Sequence, residues 1–328
     1  MRIKNGGVAH IASQIEDDLK QRQTGLHLPH IKGLADAAAS VLSCRSVNTT
    51  EIANVLPRAV KDKDARYRYI NRLLQNAQIK PPEVLSSFVT QVLQHLGRGN
   101  KTVVVMMDQS KIADARECLM ISVRFGNRAL PIGWIVRETE GNIGWKDQED
   151  LLNIVAGMVP AGVRILLAAD RFYGTSMLVG WCQKHHWSYR IRLKGNIIFQ
   201  HAGGEITALA AAKSKLAALE NATFNGTDVT THIGILHEAG HPEPWLIAMD
   251  CLPSTYKTLN YGMRWGIESM FSDFKSRGFG ITHTKLKHTD RLERLILILS
   301  IAMYWAVSVG VNTDEQQRPY TQKNTNAA

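Results

Sequence analysis

The chain has 328 residues, 45% of them hydrophobic, with 39 Lys and Arg against 29 Asp and Glu, a net charge of +10 and a pI near 9.5. That length buries a sizeable core and leaves room for a main domain plus an appendage, and the charge favours a polyanionic partner, because Lys and Arg neutralise phosphates and release counterions. Cys44, Cys118, Cys182 and Cys251 are scattered without a CxxC pair, which argues against a disulfide framework and fits reduced thiols in a cytosolic protein with no secretory leader.

Residues 1–97 read as a helical domain, with no strand-like alternation. Asn48-Thr49-Thr50-Glu51 has capping-box spacing and opens a short helix stopped by Pro57. A basic helix follows at 63–77, where Tyr69, Ile70, Leu73 and Leu74 repeat at helical spacing and Arg66, Arg68 and Arg72 crowd other faces. Two short helices, the second basic, resemble a helix-turn-helix DNA reader; a helical bundle with a charged surface explains the pattern nearly as well. After Pro81-Pro82 a helix is expected over 83–96, and residues 97–100 form the hinge into the next domain.

From 100 to 310 the pattern changes to α/β. Strands are expected at 102–108, 117–125 and 128–137, the last two joined by a Gly126-Asn127 hairpin, then a helix at 146–158, a strand at 164–170 and a helix at 174–186. In 187–194, Tyr189, Ile191 and Leu193 alternate with Arg190, Arg192 and Lys194; that basic face either lies along phosphates or protects a sheet edge. Three antiparallel strands followed by helix-linked strands is the order of a ribonuclease H-like mixed sheet. A further segment, about 195–250, interrupts it, and within that segment 206–220 has strong helix propensity. The apolar run 292–311 reads as the last, buried helix of the core rather than a membrane span, since Glu293 and Arg294 lie in its start. The polar tail, 312–328, reads as disordered.

Three apolar runs end in Asp108, Asp170 and Asp250. An Asp in that position serves as a turn or N-cap residue, or, with others, as a ligand for a hard divalent cation. Downstream, Tyr261, Arg264, Glu268 and Lys275 stand at spacings that one continuous helix, at about 100° per residue, would line along one stripe. The plain alternative is a solvated charged face. His237-Glu238-Ala239-Gly240-His241 matches the HExxH zinc-protease pattern, but Gly240, Pro242 and Pro244 oppose the helix that chemistry needs, and the alternation of 231–236 makes the motif a turn after a strand.

Asp108, Asp170 and Glu268, with Tyr261, Arg264 and Lys275 around the Glu, resemble the DDE transposases of bacterial insertion sequences. The branch they resemble is the insertion-sequence-four family, with its Y-x2-R-x3-E-x6-K signature. Gln109-Ser110 after the first Asp and Arg171-Phe172-Tyr173-Gly174 after the second agree with it. The resemblance implies a ribonuclease H-like core with a β-rich insertion, and two Mg2+ ions, with Mn2+ able to substitute. Asp108, Asp170 and Glu268 would be catalytic metal ligands, and Tyr261, Arg264 and Lys275 DNA contacts. Trp245 would hold a displaced base, and Arg66, Arg68 and Arg72 would bind DNA from the helical domain. It further implies a cytoplasmic, nucleoid-associated bacterial enzyme, a homodimer on double-stranded DNA, that cuts and joins element ends. A Mg2+ nuclease or resolvase of the same core, or a non-catalytic DNA-binding remnant, are the alternatives.

Overall fold

The computed structural model describes residues 7–22, 24–60, 62–126, 128–214, 216–237 and 243–317, and for 311–317 the backbone alone. Five helices come first: α1 (Gly7–Gln21), α2 (Leu28–Cys44), α3 (Thr49–Asn54), α4 (Lys63–Gln75) and α5 (Pro81–Leu96). Their ends follow local chemistry. The Asn48 side chain accepts from the Thr50 N–H, the Asp62 side chain accepts from the Asp64 N–H, and α5 starts on Pro81, whose missing N–H costs nothing in a first turn. Between α3 and α4 run eight residues, 55–62, longer than the three- or four-residue turn of a helix-turn-helix.

A ten-stranded mixed sheet follows. Strands β1 (Thr102–Ala113), β2 (Arg116–Phe125) and β3 (Arg128–Glu138) form an antiparallel meander, with Asn127 of its hairpin outside the described residues. Helix α6 (Trp145–Ala156) leads to β4 (Arg164–Ala169), and α7 (Ser176–Lys184) leads to β5 (Ser188–Arg192). β4 pairs parallel to β1, and β5 pairs parallel to β4. This antiparallel meander followed by helix-linked parallel strands is the strand arrangement expected of a ribonuclease H-like sheet.

The segment after β5 extends the same sheet. It contributes β6 (Ile198–His201), β7 (Gly204–Thr207), a short helix α8 (Ala208–Lys213), β8 (Ala218–Phe224), β9 (Thr230–Leu236) and β10 (Trp245–Met249). The full order is β3-β2-β1-β4-β5-β10-β9-β8-β6-β7. Helix propensity over 206–220 therefore prevails only at 208–213, and strand pairing takes both flanks. β5 lies between β4 and β10, so the basic strand is interior and the sheet-edge reading is overturned. Of the HExxH motif only His237 is described, and it stands just past the end of β9.

The chain closes with α9 (Thr255–Leu259), a 3-10 turn (Asn260–Trp265), α10 (Gly266–Phe274) and the long α11 (Thr289–Gln317). α11 is the one described helix long and apolar enough to cross a membrane, but 61% of its apolar stretch is buried inside the fold. It packs on β3 and also on α2, α4 and α5, so the N-terminal helices and the sheet share one hydrophobic core. Buried Arg294 of α11 donates to the carbonyls of Leu74 and Ile79, joining the two regions. The helix continues through Gln317, into the stretch expected to be disordered, and 318–328 lie outside the described residues.

Candidate active site

The parallel register of β1 and β4 ends at Met107 opposite Ala169, so the next residues, Asp108 and Asp170, stand side by side. Asp108 does not end its strand, as the apolar run suggested. β1 continues to Ala113 against β2, and Asp108 marks the point where β4 stops. Asp170 caps the short turn Arg171–Tyr173, accepting from the Arg171 N–H at 2.6 Å. Gly174 then brings this turn onto β5 so closely that a Cβ there would lie 2.4 Å from the Arg192 carbonyl oxygen.

The Glu-bearing segment is not one continuous α-helix. Tyr261 and Arg264 sit in the 3-10 turn, Glu268 lies in α10, and Lys275 follows that helix with non-helical backbone. The residues meet around Arg264. Its Nη1 donates to Asp108 Oδ2 at 2.9 Å, its Nη2 to Glu268 Oε1 at 2.5 Å, and its Nε to the Tyr261 hydroxyl at 3.1 Å. The Tyr261 hydroxyl in turn donates to Asp170 Oδ1 at 3.3 Å. Carboxylates from β1 and α10 thus meet one buried guanidinium, and the carboxylate at the end of β4 joins them through the Tyr261 hydroxyl. Lys275 Nζ stands apart, 2.7 Å from Ser110 Oγ, on the β1 face that Asp108 shares.

Burial is the largest influence on Asp108 and pushes its carboxyl up to about 6. Arg264 and the Gln109 N–H oppose that rise, while the charges of Asp170 and Glu268 add to it. Burial likewise works against the Arg264 charge, but Tyr261, Asp108, Asp170 and Glu268 outweigh it and raise its pKa. Tyr261 is pushed up to about 12, chiefly by burial. Tyr173, 1% exposed, has a hydroxyl without a hydrogen-bond partner and is also raised, first by burial and then by Asp108 and Asp170. The sequence marked Tyr173 only as a flanking residue. Its position three residues after Asp170 was the available signal.

Several expected contacts are placed differently. Arg264 and Tyr261 are 6% and 2% exposed, so both are engaged inside the protein as it stands. Trp245, at the start of β10, is 4% exposed and packs edge-on against Tyr261 and Trp265. Arg66 donates to the carbonyls of Val60, Asn54 and Arg58, tying the α3–α4 connection. Arg68 is exposed beside Asp62, and Arg72 is exposed on the same helix. Asp250 belongs to a separate pair, accepting from Arg190 at 2.8 Å and from Ser188 at 2.7 Å.

Next to Asp170 opens a cavity of about 660 Å3 lined by Arg171, Phe172, Arg192 and Lys194, and by Glu243, which pairs with Arg171 at 3.1 Å and with Arg192 at 3.9 Å. Phe172 is 54% exposed and Lys194 Nζ lies 5.0 Å over its ring. The cations at 192 and 194 hinted at this surface, and Phe172 was marked only as a residue flanking Asp170.

The donor set suits a hard divalent cation: carboxylate oxygens from three elements, and the orphaned Tyr173 hydroxyl buried beside two of them. Among the described residues no group of three acidic, His or Cys side chains could hold a metal as the side chains stand. The reason is visible in the hydrogen bonds, since the guanidinium lies between Asp108 and Glu268.

Residues 146–305 match the family model described as a transposase DDE domain, just under half of the chain. The match supports a DDE transposase. It includes Asp170, Arg264 and Glu268 and starts after Asp108, so register and the Arg264 contact are what bring Asp108 into the same site. No curated protein matches the chain.

Proposed function

We propose that this protein is a DNA transposase of the insertion-sequence-four type, cutting and joining the ends of its element. The observation that carries the reading is the convergence of Asp108, Asp170 and Glu268, through Arg264 and Tyr261, where the paired strands β1 and β4 part. These three carboxylates would hold two Mg2+ ions, for which Mn2+ can substitute. When bound, such ions activate an attacking hydroxyl and stabilise a leaving phosphate oxygen.

The chain's own residues prepare that chemistry. The Gln109 N–H, 2.8 Å from Asp108 Oδ1, and the Tyr261 hydroxyl on Asp170 aim the two aspartates. Burial around Asp108 lowers the local dielectric, so charge on the DNA is felt strongly there. Lys275 reaches the same strand face as a point charge for phosphate. Arg171, Arg192 and Lys194, with the Phe172 ring, form a basic, partly aromatic surface suited to a DNA strand leaving the site. Arg68 and Arg72 of α4 supply a second, backbone-directed surface in the N-terminal helical region. In this reading the enzyme works as a homodimer on double-stranded DNA, in the cytoplasm at the nucleoid.

The test is the full chain acting on a plasmid that carries its gene with native flanks, with Mg2+ or with chelator. Cuts at the element's two borders are expected, and Asp108→Asn, Asp170→Asn and Glu268→Gln should each lower cleavage by about 10^3-fold or more, because such groups act as a unit. Border cleavage at the parental rate in Glu268→Gln would refute the assignment. Cutting without any joining would favour the nuclease alternative.

A further inference from the structure

A cation already stands among the carboxylates. Arg264 is 6% exposed, places one nitrogen on Asp108 and another on Glu268, and is linked to Asp170 through the Tyr261 hydroxyl. A guanidinium there repels a divalent cation and consumes the oxygens it would need. The side chain belongs to a 3-10 turn, Asn260–Trp265, rather than to the regular helix α10 that follows. A 3-10 stretch adjoining an α-helix often marks a hinge. Trp265, next to Arg264, is half-exposed, so the turn lies at the surface although Arg264 points inward. Outside, Arg171, Arg192 and Lys194 line one open cavity beside Asp170, with Glu243 pairing the two arginines, an overall basic surface open to a phosphate. A single phosphate can offer a guanidinium two acceptor oxygens, in place of the two separate carboxylate oxygens it binds now.

We infer that Arg264 is an internal counter-ion that keeps the free protein poor in divalent metal, and that a DNA phosphate draws it off the carboxylates so that the metals load only on bound DNA. The inference rests on the transposase reading above and adds an order of events to it. A free enzyme gated in this way does not nick DNA that it has not engaged through its phosphates.

Metal binding, not cleavage, tests it. Mn2+ binding to the full chain is followed by the paramagnetic resonance of the free ion, for the parent, Arg264→Gln and Arg264→Lys, without DNA. Arg264→Gln should bind Mn2+ at least tenfold more tightly than the parent. Arg264→Lys should gain less, because one ammonium cannot bridge two carboxylates as a fork does. If Arg264→Gln does not melt cooperatively, Arg264→Lys, which keeps the charge, decides alone. The second arm adds a 30-base-pair duplex at low salt, with the Mn2+ held by DNA alone subtracted. The parent should then gain about tenfold in Mn2+ affinity and Arg264→Gln should gain little, having nothing left to release. Equal Mn2+ affinity in parent and folded variants would overturn the gate, and so would an equal gain from the duplex in all of them. Neither result touches the cleavage test of the three carboxylates, so the gate and the transposase reading can fail separately.

Discussion

Residues 260–275 and 63–75 look alike as sequence: each sets cations and aromatic residues at helical spacing on a short amphipathic stretch. Folding uses them in opposite ways. Arg264 meets carboxylates brought from β1 and from the adjoining α10, and becomes the hub of a site. Arg66 meets the carbonyl of Asn54 at the end of α3 and those of Arg58 and Val60 in the connection, and becomes a clip for α3 and α4. Its neighbours Arg68 and Arg72 stay at the surface. An arginine's task is decided by what the fold places opposite its guanidinium, and spacing along one helix does not contain that information.

The comparison breaks most visibly at the packing behind the site. Trp245 was expected to face DNA and instead backs Tyr261 in a small cluster with Ile247 and Met249. Trp245→Ala should therefore cost about 3–5 kcal/mol of stability, the range for emptying a buried aromatic position. Denaturant unfolding would read it; a parental midpoint would return Trp245 to the surface and to its expected DNA role.

Next in size is the electrostatic cost at Asp108. Its carboxyl is raised from 3.8 to about 6 in the folded protein, chiefly by burial. The folded form thus binds this proton more tightly than the unfolded chain. The group's contribution to stability grows as pH falls through 6 towards 3.8, and above both values it is a penalty. Stability of the parent relative to Asp108→Asn should rise by up to about 3 kcal/mol from about pH 7 to about pH 4. A difference that is flat across this range would mean that Asp108 is solvated.

The basic helix sets the lower end of the scale. Arg66→Ala should lose about 1–2 kcal/mol, because three carbonyls lose a charged donor that water partly replaces. The pair Arg68→Ala and Arg72→Ala should stay within about 0.5 kcal/mol of the parent. It should nevertheless weaken duplex binding and reduce the salt slope by about two, one for each phosphate contact. If Arg66→Ala changed only DNA affinity, and the double variant only stability, the roles assigned along α4 would be reversed.

Much of the architecture was legible in the residues. Asn48 as a cap, Pro81 at a helix start, and the strands β2, β3 and β4 stand close to where local propensity and periodicity put them, while β1 starts there and runs five residues beyond Asp108. Asp108, Asp170 and Glu268 could be singled out because acidic residues after apolar strands and a Y-R-E-K spacing are local patterns. What these patterns could not contain is anything set by the partner strand or the facing side chain. The interior place of β5 follows from the strand that pairs on its far side, β10, about 55 residues later in the chain. Helix propensity over 206–220 gave way where β8 found β9 and β6, since ladder bonds and burial outweigh a few tenths of a kcal/mol per residue. The orphaned Tyr173 hydroxyl, the inward Trp245 and the guanidinium lodged between Asp108 and Glu268 are likewise tertiary facts. Residue types determined which chemistry this protein can hold, and packing decided which groups face one another, because burial and charge pairing depend on neighbours that lie far apart in the chain.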